Sequence, residues 1–196
     1  MELLPMVFSS GWASGINAYA VVLLMGLLGR FADVDSVPEA LTRVDVMVVA
    51  AVMFGVEFVA DKIPYVDSGW DAISTTIRPT VGAALGLLIA GDASSVEQAT
   101  LAAVGGGTAL VSHLVKGGLR LAVNGSPEPA SNVAVSVGED VSVAGVVLLA
   151  VSYPWVAAAV AAVLLVAGLV LLFYVGRRVR RGWRRWKGRE PRPVAH

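Results

Sequence analysis

The sequence predicts an all-α fold, a polytopic transmembrane helical bundle of about six spans, and three observations predict it. The first is composition: 56% of the residues are hydrophobic and 15% are charged, where soluble domains carry roughly 45–50% and about 25%. The second is the grouping of the apolar residues into runs suited to spans of about 20 residues, so that a chain of 196 residues holds six runs and short connections. The third is charge asymmetry. The formal net charge is zero, yet nine of the fifteen basic residues fall between Arg177 and Arg192, and through Gly176 six basic residues stand against fourteen acidic ones.

The first segment, Met1 to Leu28, is interrupted by Ser9-Ser10-Gly11-Trp12-Ala13-Ser14-Gly15. Serial glycine and serine lower helix propensity, and a break in lipid survives only where protein or a wet cavity covers it. Gly11, Gly15 and Asn17 are therefore candidates for a backbone break. Met1 to Phe8 is too short to cross, so the favoured reading lays it at the interface and starts the span at Ile16. Glu2 stands where a leader would carry basic residues, so no cleaved signal peptide is expected. Phe31 to Arg43 is a polar connection carrying Asp33, Asp35 and Glu39.

Segment two covers about Val44 to Ala60 and segment three about Ile73 to Ala90, joined by a polar stretch. Glu57 lies inside the second run, Asp61 and Lys62 lie at its end, and Asp71, Thr75 and Arg78 follow at i, i+4, i+7 on one helical face. Ionisable groups at the facing ends of apolar segments are costly in lipid and mark working sites. Solvation at a helix end accounts equally well for Asp61 and Lys62, but less well for Glu57, a full turn deeper.

Segment four, Ala99 to Val123, contains a second glycine interruption at Gly105-Gly106-Gly107, then His113, Lys116 and Arg120 at i, i+3, i+7. Snorkelling to the headgroups would account for Lys116 and Arg120, but poorly for His113. The linker from Asn124 ends in Asn132 as a helix cap. Segment five, about Val133 to Val151, carries Glu139 and Asp140, adjacent carboxylates that need either a proton or nearby cations. Segment six, Trp155 to Tyr174, has no charge and reads as a lipid-facing support.

Beyond it, Arg177, Arg178, Arg180, Arg181, Arg184 and Arg185 interleave with Trp183 and Trp186, the pattern of an interfacial anchor on anionic lipids. The chain divides into a bundle over residues 1–175 and a basic tail over 176–196. By the positive-inside rule the tail is cytoplasmic. Counting back through six spans puts the N-terminus and both polar linkers inside and the two acidic loops, Asp33–Glu39 and Asp92–Glu97, outside. Segments one and four each open a set of three spans, which allows a 3+3 inverted repeat. A rival pairing matches Gly82–Ala90 with Ser142–Ala150.

With no cysteine, and with His113 and His196 as the two histidines, disulfides, thiolate metal sites and multi-histidine metal sites are excluded. No established catalytic motif is present. No catalytic residue, metal, cofactor or nucleic-acid partner is assigned.

Four blocks of residues resemble a known family: Ser14-Gly15-Ile16-Asn17-Ala18-Tyr19; Glu57 with Ala60-Asp61-Lys62-Ile63-Pro64, Asp67 and Trp70-Asp71; Ile77-Arg78-Pro79; and Ser126-Pro127-Glu128-Pro129 with Ser131-Asn132. The resemblance is to bacterial integral membrane proteins catalogued as domain of unknown function 4126, and it covers nearly the whole chain up to segment six. It implies a multi-pass protein of the bacterial cytoplasmic membrane and supplies no substrate, reaction or cofactor.

Function must therefore come from the site. The leading reading is a small secondary transporter or channel for a small ion or molecule. Its polar, proton-coupled pathway would use Glu57, Asp61, Lys62, Asp71, Arg78, His113, Lys116, Arg120, Asn132, Glu139 and Asp140. The second is a structural or partner-binding protein, homo-oligomers included, whose charges fix helix register. The third is an intramembrane enzyme holding a lipid phosphate on Lys62, Arg78, Lys116 and Arg120.

Overall fold

The computed structural model describes the backbone of residues 3–63, 66–124 and 129–187, and side chains at 3–63, 66–121 and 133–181. Six helices follow in order, α1 (Leu3–Phe31), α2 (Val44–Ala60), α3 (Val66–Ala90), α4 (Ser95–Asn124), α5 (Pro129–Ser152) and α6 (Pro154–Lys187), with a 3-10 turn at Glu39–Thr42; the described residues contain no strand. Local chemistry sets several boundaries. Pro129 and Pro154 occupy first helical positions, where the missing N–H costs nothing. Gly91, at φ +55°, follows the last residue of α3, the left-handed position that glycine tolerates best. Ser94 caps α4 by accepting the Glu97 N–H at 3.3 Å.

Among the described residues, four helices, α1, α3, α5 and α6, are long and apolar enough to cross a membrane. With 17 residues, α2 spans about 26 Å, slightly short of a hydrocarbon core of about 30 Å. The fold is a helical membrane bundle with α1 at its centre. In the most apolar stretch of α1, 67% of the residues are buried, against 11% in α6, so α6 is a peripheral support. The outer face of α2 is a valine ridge: Val48, Val49, Val52, Val56 and Val59 are exposed, while Ala50, Glu57 and Ala60 are buried.

Small residues allow the central helices to touch. A Cβ on Gly11 would lie 2.6 Å from the Gly105 carbonyl, and one on Gly82 would lie 2.6 Å from the same oxygen and 2.7 Å from Ala109 Cβ. Helix association in lipid has little hydrophobic drive, so close backbone contact of this kind is a main source of stability.

Several expectations need correction. Of the expected interfacial stretch Met1–Phe8, the first two residues lie outside the described residues, and from Leu3 onward the chain is part of α1, with Met6 and Val7 buried in the core. Gly11 and Gly15 are helical, and the break falls on Asn17. No interruption occurs at Gly105-Gly106-Gly107, which lie within α4; continuous helix satisfies their backbone groups, and the missing side chains of Gly105 and Gly106 admit α1 and α3. The third helix begins at Val66 rather than Ile73, because its polar first turns face partners inside the bundle. α6 runs from Pro154 on to Lys187, past the expected end of segment six at Tyr174.

The glycine contacts give a direct test. Gly82→Val should destabilise by about 1–3 kcal/mol through overpacking. Gly107, whose added Cβ would meet nothing within 4 Å, should accept alanine with no loss and a gain of up to about 1 kcal/mol. Thermal melts in detergent separate the two.

Candidate functional site

Asn17 breaks α1 with extended backbone angles, φ −149° and ψ 95°. Such a break orphans the carbonyls of the preceding turn and the N–H groups of the following one. Asn17 answers the second need, its Oδ1 accepting the Ala20 N–H at 2.9 Å, so it caps the second half of its own helix. Cations answer the first. Lys116 Nζ donates to the Ile16 carbonyl at 2.9 Å, and Arg78 Nη1 donates to the Gly15 carbonyl at 3.3 Å. One turn earlier, Ser112 Oγ donates to the Trp12 carbonyl at 2.8 Å. The C-terminal end of a half-helix is the negative end of its dipole, so positive charge there is favourable.

Carboxylates surround these cations. Arg78 Nη2 lies 2.5 Å from Glu57 Oε1 and 3.0 Å from Asp71 Oδ1. Lys116 lies 2.8 Å from Asp61, 3.5 Å from Glu139 and 3.8 Å from Glu57. Arg120 donates to Asp61 Oδ2 at 3.1 Å and to its backbone carbonyl at 2.9 Å, approaches Asp67 at 3.6 Å and pairs with Glu139. At the edge, Lys62 packs on the Phe58 ring and lies 3.9 Å from Asp140, which also accepts from Asn17 Nδ2 at 3.5 Å. Arg120 is fully buried and Lys116 is 4% exposed, so snorkelling describes neither.

His113 sits between Arg78 and Thr75. A guanidinium is always a donor, so the 2.7 Å contact from Arg78 Nη1 makes His113 Nδ1 an acceptor. Its proton then rests on Nε2, which donates to Thr75 Oγ1 at 3.0 Å, while Thr75 donates to the Asp71 carbonyl at 3.0 Å. This chain of bonds assigns a neutral imidazole with a fixed tautomer.

The cluster thus brings together Glu57, Asp61, Lys62, Asp71, Arg78, His113, Lys116, Arg120, Glu139 and Asp140 from α2, α3, α4 and α5 and the ends flanking them. Asp67 belongs to it as well and was missed, although its i, i+4 spacing to Asp71 was a usable signal. Gly105 and Gly106 serve packing instead, while an added Cβ on Gly107 would meet nothing within 4 Å. The side chains of Asn132, Trp183, Arg184, Arg185 and Trp186 lie outside the described residues. Arg177, Arg178, Arg180 and Arg181 are exposed along α6, with Arg177 4.3 Å over the Phe173 ring.

Two cavities touch the cluster from different faces of α4. One, of about 340 Å³, is lined by Lys116 and Glu139 with Trp12, Ile16 and Leu165. The other, of about 370 Å³, lies between α3 and α4 and is lined by Asp71, Thr75 and His113. Among the described residues, no group of three or more histidines and carboxylates is arranged to hold a metal ion.

A family model described as domain of unknown function (DUF4126) matches residues 4–173, which leaves out the basic tail. Neither the curated proteins nor the solved structures give a match.

If the Asn17 cap holds the break, Asn17→Ala should lower stability by about 0.5–2 kcal/mol, and Asn17→Ser, which keeps an oxygen acceptor, should recover most of it. Arg78→Lys should cost more than Asn17→Ala, because an ammonium cannot reproduce a planar fork shared among Glu57, His113 and Gly15. Melts of the purified variants give the ranking.

Proposed function

Since the chain belongs to the family described as domain of unknown function (DUF4126), which brings no activity with it, we propose from its site that it is a small secondary transporter or channel of the bacterial cytoplasmic membrane, working through the charge cluster. The observation that carries this reading is a charge imbalance. Among the described residues, six carboxylates (Glu57, Asp61, Asp67, Asp71, Glu139 and Asp140) share the cluster with four permanent cations (Lys62, Arg78, Lys116 and Arg120), while His113 is neutral.

Uncompensated buried charges cost several kcal/mol each. A network serving only helix register would be built to neutrality. An excess of two acids instead leaves room for two positive charges, protons or a cation. The broken helix supports the same reading, since unwound backbone in membranes occurs where it is covered by protein or lines a cavity. The lipid-phosphate reading is disfavoured because Arg78, Lys116 and Arg120 are already held by carboxylates.

The remaining proposals concern placement. The basic extension of α6 lies at the cytoplasmic face on anionic lipids, both termini are cytoplasmic, and the charge cluster opens inward. A 3+3 inverted repeat rests on the packing of α1 against α4, each the first helix of its set, rather than on paired helix breaks. The exposed valine ridge of α2 meets lipid or a second copy of the chain.

Two experiments test this. In proteoliposomes loaded with a pH-sensitive dye, the native chain should conduct protons down an imposed gradient, and Glu57→Gln, which keeps shape and removes charge, should lose at least about tenfold of that flux while still melting cooperatively, at a lower temperature, as a folded bundle. Equal flux in both would leave Glu57 structural and end the transport reading. For topology, a periplasmic reporter fused after Tyr174 should be silent, and removing Arg177–His196 should raise its signal while leaving the melt of the bundle unchanged. An active reporter on the intact chain would reverse the orientation.

A further inference from the structure

Among the described carboxylates of this cluster, Asp71 stands apart in that both of its oxygens lack a hydrogen-bond donor. Its side chain is 8% exposed. The carboxylate lies 3.0 Å from Arg78 Nη2, yet off the N–H direction, so among the described residues neither Oδ1 nor Oδ2 accepts a hydrogen bond. A buried carboxylate oxygen without a donor costs about 1–3 kcal/mol or more, so a missing donor is the simplest account. Asp71 also lines the cavity of about 370 Å³ between α3 and α4, a size within the usual range for small-molecule sites, about 300–1,000 Å³.

We propose that this cavity binds a primary ammonium group, with the free oxygen of Asp71 as its acceptor. The inference rests on the transport reading for its purpose and on the Asp71 geometry for its chemistry. Three features of the cavity select the ligand. The acidic oxygen asks for a donor that carries positive charge, which also offsets part of the cluster's acid excess. The other polar groups are committed, Thr75 and His113 to each other and Ser68 Oγ to Asp67 Oδ1 at 3.3 Å, so the head of the ligand need satisfy Asp71 alone.

The rest of the wall is apolar or absent: Leu114 and Leu121 are 56% and 67% exposed at its rim, and Gly117 contributes no side chain. A short alkyl chain fits such a wall. A metal ion does not, because among the described residues no group of three or more histidines and carboxylates is arranged to hold one. Free alkylamines and the ethanolamine headgroup of a phospholipid both present this chemistry.

Gly117 makes the cavity separately addressable. A Cβ added there meets nothing within 4 Å, so Gly117→Phe can fill the space without disturbing the ion pairs. The probe is n-butylammonium, with n-butanol as its neutral isostere, titrated calorimetrically into the full chain in nanodiscs of phosphatidylglycerol. Saturable binding of n-butylammonium and none of n-butanol is expected. Binding should weaken at least about tenfold, the worth of one charged hydrogen bond, in Asp71→Asn and in Gly117→Phe, and stay unchanged in Asp45→Asn, an exposed carboxylate outside the cluster.

Should Asp71→Asn fail to fold, Gly117→Phe decides alone. Nanodiscs that also contain phosphatidylethanolamine identify the source: competition with n-butylammonium assigns the site to the lipid headgroup, and no competition assigns it to a free amine. No n-butylammonium binding in either nanodisc, or binding that survives Gly117→Phe, overturns the proposal. Proton flux measured in parallel separates the two readings. Amine binding without flux keeps the site and removes transport, while flux without amine binding does the reverse.

Discussion

A helix interrupted inside a bilayer must have its orphaned carbonyls bonded by protein, because lipid offers no donors. In this fold the donors are Lys116 and Arg78, reaching Ile16 and Gly15 just before the break at Asn17. Much of the site follows from that requirement. Bringing two full charges to the centre of an apolar bundle demands counter-charges, so Glu57 and Asp61 on α2 and Asp71 on α3 must converge on the same place. The further cation, Arg120, draws in Asp67 and Glu139 from α3 and α5. Removing one member of such a network leaves another charge buried alone, typically at a cost of about 3–5 kcal/mol, which is why the cluster holds as a unit.

Geometry explains why α4 is the helix that can supply this. His113, Lys116 and Arg120 project from one stripe only if the helix is regular from one residue to the next, and α4 is helical from Ser95 to Asn124. Its three consecutive glycines do not oppose that regularity once packing is counted. Gly105 puts its backbone against Gly82 and Gly11, and this close packing outweighs a propensity deficit of about 1 kcal/mol per glycine. The same close approach sets the distance at which a lysine on α4 can touch a carbonyl of α1. Packing and electrostatics are thus one constraint expressed twice.

That coupling also marks what the sequence could show. The stripe on α4, the Glu57/Asp61 pair and the Asp71/Thr75/Arg78 face were legible because helical spacing is a local property. The start of α3 was not. Asp67 fell in the polar stretch before Ile73 because polarity usually means water, whereas here it lies in the first turn of α3 and pairs with Arg120 on another helix. The glycine runs were misread for a related reason: intrinsic propensity can be read from one segment, while the partner that makes a glycine useful belongs to another. Asn17 stood among several plausible break points, and only the bond from its side chain to Ala20 singles it out. In each case the missing information was tertiary.

Arg78 ties these pieces together. Its one guanidinium touches Glu57, Asp71, His113 and the Gly15 carbonyl, so it contacts the wall of one cavity, the buried acids and the helix break at once. A guanidinium has five N–H donors in a rigid plane and cannot turn toward one acceptor without turning from another. Positive charge arriving at Asp71 would weaken its claim on Arg78 and strengthen those of Glu57 and Gly15. The effect would be felt at the end of the first half of α1, whose other orphaned carbonyl is held by Lys116, one turn further along the same stripe of α4. A charge change at one cavity therefore has a short, contiguous route to the other, through side chains whose hydrogen bonds are already committed and have little freedom to absorb it locally.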